Sequence, residues 1–275
     1  MFNSHYHFLL IIFLIPVSLM AYEPIRVGVS IPPQQYLVER IGTEYVEVQV
    51  MMKPGDSPEI FDPSLRLLSK LNKTQLYFRI GVAFENKWIR SIEENNKQLK
   101  VIDCCENIIE TNSLSLDNHV WTSARNLQRL ATLVKDELIR IDPDHSLHYE
   151  QNYAILIIDL KQLDNEITVL LNDRRTDYFI ISHAAFGHFA KDYGLVQMAL
   201  ENEGKQLGAQ SLVNIIRHAR QEKISTLFVQ KQHPSTTALA FASEIGAEII
   251  EVDPLHRDYL SNLRNITKLI AGAIR

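Results

Sequence analysis

Short β-branched runs alternate along the chain with longer stretches whose apolar residues recur every three to four positions. Every-second-residue patterning at Ile25, Val27 and Val29 predicts a strand over Ile25 to Ser30. Strands are likewise predicted over Val46 to Met52, Leu76 to Ile80 and Leu99 to Asp103. Helices are predicted between them, over Pro33 to Ile41, Pro63 to Leu71, and around Trp88, Ile89 and Ile92. Strand and helix in turn, with short links, predict parallel βαβ units.

The next stretch is helical throughout. Leu127, Leu130, Val134, Leu138 and Ile141 share one helical face, and Thr122 or Ser123 is placed to cap that helix. Asp142-Pro143 stops it and is read as the start of the next, with Asp142 as N-cap and Pro143 in the first turn. That second helix is predicted to run to about Leu171, a rod of about 40 Å. Tyr149, Tyr153, Leu156, Leu160, Leu163, Ile167 and Leu171 line one side, and Ala154, Ile155 and Ile158 another. Two apolar sides at mid-chain predict a rod packed against two lobes.

The alternating pattern then restarts. Strands are predicted over Tyr178 to Ser182, Thr226 to Val229 and Glu248 to Val252, and helices over Ala184 to Tyr193, Gln210 to Glu222, Ser235 to Ile245 and Tyr259 to Ile274. The expected architecture is α/β: two lobes of parallel βα units joined by one long helix. The expected divisions are an N-terminal lobe over 22–142, a linking helix over 143–172 and a C-terminal lobe over 173–275.

Composition narrows the function classes. The chain has 275 residues, 46% of them apolar, which is ample for a buried core. A net charge of -5 argues against a nucleic-acid partner, whose phosphates call for a basic face. Residues Phe8 to Ala21 are apolar apart from Ser18, a run too short to cross a bilayer comfortably and suited to the core of a signal peptide over 1–21. An uncleaved anchor is the alternative, because no Lys or Arg precedes the run. Cys104 and Cys105 are the only cysteines and are adjacent, which excludes a disulfide-stapled fold.

Open parallel sheets bind ligands beyond the carboxyl ends of their strands. Asp56, Glu59 and Asp62 follow the second predicted strand, His183 follows Ser182, Gln230, Gln232 and His233 follow Val229, and Asp253 follows Val252. His119 sits on a loop at a helix start. Imidazoles and carboxylates thus gather at one topological position in both lobes, a donor set suited to a divalent metal. His233 is open between site residue and solvated loop residue. His188 lies five residues past His183, on a different side of a helix, and is not expected at the same ion. His145, His148 and His218 are expected on helix surfaces.

These residues carry a resemblance. His119-Val120-Trp121 resembles the His-Ile-Trp of the zinc/manganese-type (ZnuA-like) solute-binding proteins of ABC importers. Ser182-His183-Ala184-Ala185-Phe186-Gly187-His188-Phe189-Ala190 is similar to that family's Ser-His-Pro-Ala-Trp-Gly-Tyr-Phe-Ala, and Asp253-Pro254-Leu255 continues the likeness. The resemblance implies an ion between two lobes, held by His119, His183 and an acidic ligand at Asp253. It departs at the first ligand: where the family has Pro-His-x-Tyr-Glu-Pro, this chain has Pro58-Glu59-Ile60-Phe61-Asp62-Pro63, so Glu59 replaces a histidine. The His-rich acidic loop of many zinc members is also missing before His119. The implied metal set is Glu59, His119, His183 and Asp253, unless Glu59 points away. Zinc is the first expectation. The harder donor set leaves manganese or ferrous iron as alternatives.

The function so implied is periplasmic capture of a divalent metal by a monomer and its delivery to an ABC transporter permease. A secreted metal-dependent hydrolase is the competing class, although neither H-E-x-x-H nor G-x-S-x-G occurs. An adhesin or scaffold on the same fold is the third.

Overall fold

The computed structural model of the chain describes residues 23–106, 108, 117–202, 205–233 and 235–275. The expected signal peptide lies outside the described residues, as does most of the loop before His119.

The first lobe is built on β1 (Ile25–Val29), β2 (Val46–Val50), β3 (Leu76–Arg79) and β4 (Lys100–Asp103). They form one parallel sheet in the order β2-β1-β3-β4, with Val27 opposite Val48 and Val29 opposite Phe78. Val27, Val29 and Phe78 are buried on one face of the central strands and Tyr77 on the other, so the sheet is covered on both sides. Helices α1 (Pro32–Gly42), α2 (Leu65–Ser69) and α3 (Ala83–Asn95) connect the strands. Pro32 opens α1, where a missing N–H costs nothing.

Two helices follow, α4 (Ala124–Ile141) and α5 (Ser146–Asn172). Ser123 caps α4, its hydroxyl accepting from Asn126 N at 3.0 Å. The long helix starts at Pro143 after Asp142 as expected, with a first 3-10 turn, Pro143–His145, that runs directly into α5 at Ser146. The Asp142 carboxylate accepts from Tyr149 Oη at 2.6 Å and from His145 Nδ1 at 2.7 Å, so it ties the turn to the helix by side chains. The two-sided packing of α5 is corrected. Tyr149, Leu156, Leu160, Leu163, Ile167 and Leu171 are buried, whereas Ile155 and Ile158 are exposed. One face suffices for both lobes: α5 packs on α1, α4 and the last helix of the chain, α9 (Tyr259–Ile274).

The second lobe contains β5 (Tyr178–His183), α6 (Gly187–Tyr193), β6 (Val196–Asn202), β7 (Lys205–Gln206), α7 (Ala209–Gln221), β8 (Thr226–Gln230), α8 (Thr236–Ile245) and β9 (Glu248–Val252), before α9. Its sheet order is β7-β6-β5-β8-β9, parallel except for β7 on β6. The pair β6 and β7 was not expected from the sequence. His183 is the last residue of β5 rather than the first after it. Cys104 and Cys105 are free, buried thiols. Burial pushes Cys105 up to about 12, with nearby Asp103 adding to the effect, so it is unreactive at neutral pH. No helix among the described residues is long and apolar enough to cross a membrane.

Candidate metal centre

Three expected ligands meet in the cleft. Glu59 Oε1 lies 3.1 Å from His183 Nε2 and 3.9 Å from His119 Nε2, and the two imidazole nitrogens are 3.3 Å apart. Four ligands at about 2.0–2.1 Å around tetrahedral zinc stand about 3.3 Å from one another, so these separations match ligand atoms of one ion. Two aromatic ring nitrogens facing each other satisfy only one hydrogen bond between them. A cation between them satisfies both lone pairs, and the donor set therefore fits a divalent metal.

Local structure explains each placement. Glu59 lies in a turn after β2 in which Ser57 O accepts from Phe61 N at 2.9 Å. Ser57 Oγ donates to Glu59 Oε2 at 2.7 Å. His119 is held from behind: its Nδ1 meets Asp117 Oδ1 at 2.8 Å, and its backbone N–H donates to the same oxygen at 3.0 Å. Asp117 O accepts in turn from His188 Nε2 at 2.8 Å, so His188 supports the site without joining it. The neighbouring Asn118 Nδ2 donates to Gly81 O at 2.7 Å. Gly81 has φ of 83°, and a Cβ there would come within 2.9 Å of Asn118 Cγ. Buried Glu85 accepts from Gly81 N at 2.7 Å and from Ile80 N at 2.9 Å, which fixes that loop.

His183 is buried at the end of β5 between β6 and β8, with Glu201 of β6 directly opposite in the register. Its Nδ1 is 3.3 Å from Glu201 Oε1, an ion-pair distance without hydrogen-bond alignment. Both imidazoles thus have a carboxylate behind Nδ1 and present Nε2 forward, the arrangement that orients metal-binding histidines.

Electrostatics match. Burial opposes ionisation of Glu59, but His119, His183, His233 and Ser57 hold its carboxyl far below the usual range. Burial lowers the His119 pKa, and Asp117 and Glu59 outweigh it to hold the ring near 9. The cleft opens into a cavity of about 720 Å³ lined by Glu59, His119, Trp121, His183, Gly187 and Gln197 among others.

Asp253 is not brought into this group. Its Oδ1 accepts from Gln232 Nε2 at 2.6 Å and from Leu255 N at 3.0 Å, and it belongs to neither candidate metal cluster among the described residues. Asp253 does stand at a strand end, and both of those donors meet the one oxygen Oδ1. Asp62 also turns elsewhere, to Lys87 and Trp88. His233, left open by the sequence, reaches Glu59, and Glu201 was missed because β6 was missed. His218 is half-buried against Tyr178 rather than on the surface.

Two α/β lobes on a long helix, with imidazoles and a carboxylate converging between them, define a metal-binding protein of the two-lobed, cleft-binding class. The family model described as zinc-uptake complex component A, periplasmic (ZnuA), matches residues 27–273, and the chain belongs to that family. A crystal structure of ZnuA is 34% identical, covers 92% of this chain and 100% of its own, and superposes with a TM-score of 0.86. A zinc-bound deletion mutant of ZnuA gives 33% identity, 92% and 98% coverage and the same TM-score of 0.86. A Chlamydia trachomatis (serovar D) protein named for metal binding is 27% identical over 255 residues, covering 90% of this chain and 91% of its own.

Proposed function

We propose that this chain is an extracytoplasmic solute-binding protein that captures a divalent transition metal, zinc first, and delivers it to the permease of an ABC transporter. The observation that carries this is the convergence of Glu59 Oε1, His119 Nε2 and His183 Nε2 at separations of 3.1 to 3.9 Å. Membership of a zinc-uptake family supports zinc as the cargo. The chain acts as a binding protein, not an enzyme. The family's periplasmic description and the apolar run before Ala21 support export by a signal peptide. One chain supplies every ligand, which supports a monomer as the working unit.

The carboxylate keeps manganese and ferrous iron as competitors, because oxygen donors suit harder ions. The reading is tested by Zn2+ titration of wild type and of the His119→Ala/His183→Ala double variant. Near-stoichiometric binding by wild type, lost in the double variant, is expected. Equal affinity in the two proteins would defeat the reading. Metal-dependent hydrolysis of an ester or peptide would bring back the hydrolase class.

A further inference from the structure

His233 lies after β8 in the second lobe, and Glu59 lies after β2 in the first. His233 Nε2 is 2.8 Å from Glu59 Oε2, the oxygen that does not face His119 and His183. The His233 ring also stacks on His183, with centroids 4.4 Å apart and planes 2° from parallel. Both Nε2 atoms of the stacked pair face Glu59, one at each carboxylate oxygen. Both Nδ1 atoms face Glu201 Oε1, at 3.3 Å and 3.8 Å.

This arrangement distinguishes a ligand from a support. Two imidazoles that bind one tetrahedral ion must aim their nitrogens at a common point, with about 109° between the bonds. Parallel rings facing the same way aim their nitrogens side by side instead. His183 Nε2 turns to His119 Nε2 at 3.3 Å and to Glu59 Oε1 at 3.1 Å, whereas His233 Nε2 meets the other oxygen of Glu59. The contact it makes is to the far oxygen of the ligand carboxylate, which leaves Oε1 free for the ion.

The geometry points to His233 as a positioning residue of the metal centre: it fixes the Glu59 carboxylate across the cleft, so that the second lobe orients a ligand supplied by the first. Ser57 Oγ shares the same Oε2 at 2.7 Å, and its own distance to His233 Nε2 is 3.3 Å, so the three groups form one closed cluster. Groups that orient metal ligands typically contribute about 10–100-fold in affinity. This inference rests on the metal-capture reading above.

The test is the Zn2+ affinity of the full chain, by competition with a chromophoric chelator, for wild type, His233→Ala, His233→Gln, Glu59→Ala and the Glu59→Ala/His233→Ala double variant. His233→Ala is expected to lose about 10–100-fold. His233→Gln, which keeps an N–H donor, is expected to recover most of that loss. The double variant is expected to bind as Glu59→Ala alone. X-ray absorption of the zinc-loaded proteins is expected to count the same number of imidazoles in wild type and His233→Ala. Unchanged affinity in His233→Ala, an imidazole missing from its zinc shell, additive losses in the double variant, or no rescue by Gln would each overturn the inference. A wild-type chain that takes up no Zn2+ would overturn the metal-capture reading with it, whereas normal wild-type binding beside an indifferent His233→Ala overturns this inference alone.

Discussion

Asp117 Oδ1 sits 2.8 Å from His119 Nδ1, and this contact decides which edge of the imidazole faces the cleft. A carboxylate behind one ring nitrogen keeps the proton there and leaves the other lone pair for metal. The contact depends on the absence of a side chain opposite. A Cβ on Gly187 would come within 2.4 Å of Asp117 Oδ2.

Removing the carboxylate should therefore loosen the ion without removing a ligand. Asp117→Ala is expected to weaken Zn2+ binding about 10–100-fold, with the stoichiometry unchanged. Gly187→Ala is expected to weaken binding in the same direction by displacing the carboxylate. Chelator competition measures both, and wild-type affinity in Asp117→Ala would show that the contact does not orient His119.

Glu59 and Asp253 should separate clearly. Glu59 Oε1 lies with His119 and His183 in a candidate metal cluster, whereas Asp253 Oδ1 accepts from Gln232 and Leu255 N. Glu59→Ala should reduce Zn2+ affinity by more than Asp253→Ala does. Calorimetric titration of the two variants checks the order, and the reverse order would make Asp253 the acidic ligand.

Acid should release the metal. An imidazole binds zinc only when neutral, so protons compete with the ion at His119 and His183. Apparent affinity is expected to fall as pH drops throughout the range below about 9, where burial opposes the charge but Asp117 and Glu59 hold the metal-free His119 ring protonated. Zn2+ retention after dialysis between pH 8 and pH 5 reads this directly, and a flat profile would argue for a site made of carboxylates.

Glu85 should govern a separate pH effect on stability. Burial raises its pKa, against the donors Ser30, Ile80 N and Gly81 N. A raised carboxyl contributes stability that is fully present below its unfolded value and lost as pH rises through the folded one. Glu85→Gln presents an NH2 group to one of the donors that now meets an oxygen, at a cost of about 1–3 kcal/mol. Denaturant melts of metal-free protein should show that deficit shrinking as pH rises, because only wild type carries the titrating group.

The helices and most strands were legible because their apolar periods are clean. The strand β6 was not: Val196–Asn202 reads Val-Gln-Met-Ala-Leu-Glu-Asn, with polar residues where a buried strand usually has β-branched ones. Those polar residues face function. Gln197 Oε1 accepts from Phe186 N at 2.6 Å, and Glu201 stands behind His183. His119, His183 and Glu59 were legible from the resemblance and from strand-end placement. The direction of Asp253 and His233 was not, since it is set by Gln232 and Glu59 across long sequence separations, with Leu255 N adding a local bond to Asp253. The exposure of Ile155 and Ile158 was also hidden, because apolar content alone does not say which faces meet a neighbour.

Helix α5 is a continuous 27-residue strut, and its single buried face touches elements of both halves. A jaw-like swing would have to shear Leu156, Leu160, Leu163 and Ile167 out of close-packed seats. Movement of either lobe would therefore disturb the same apolar seam that joins it to the strut.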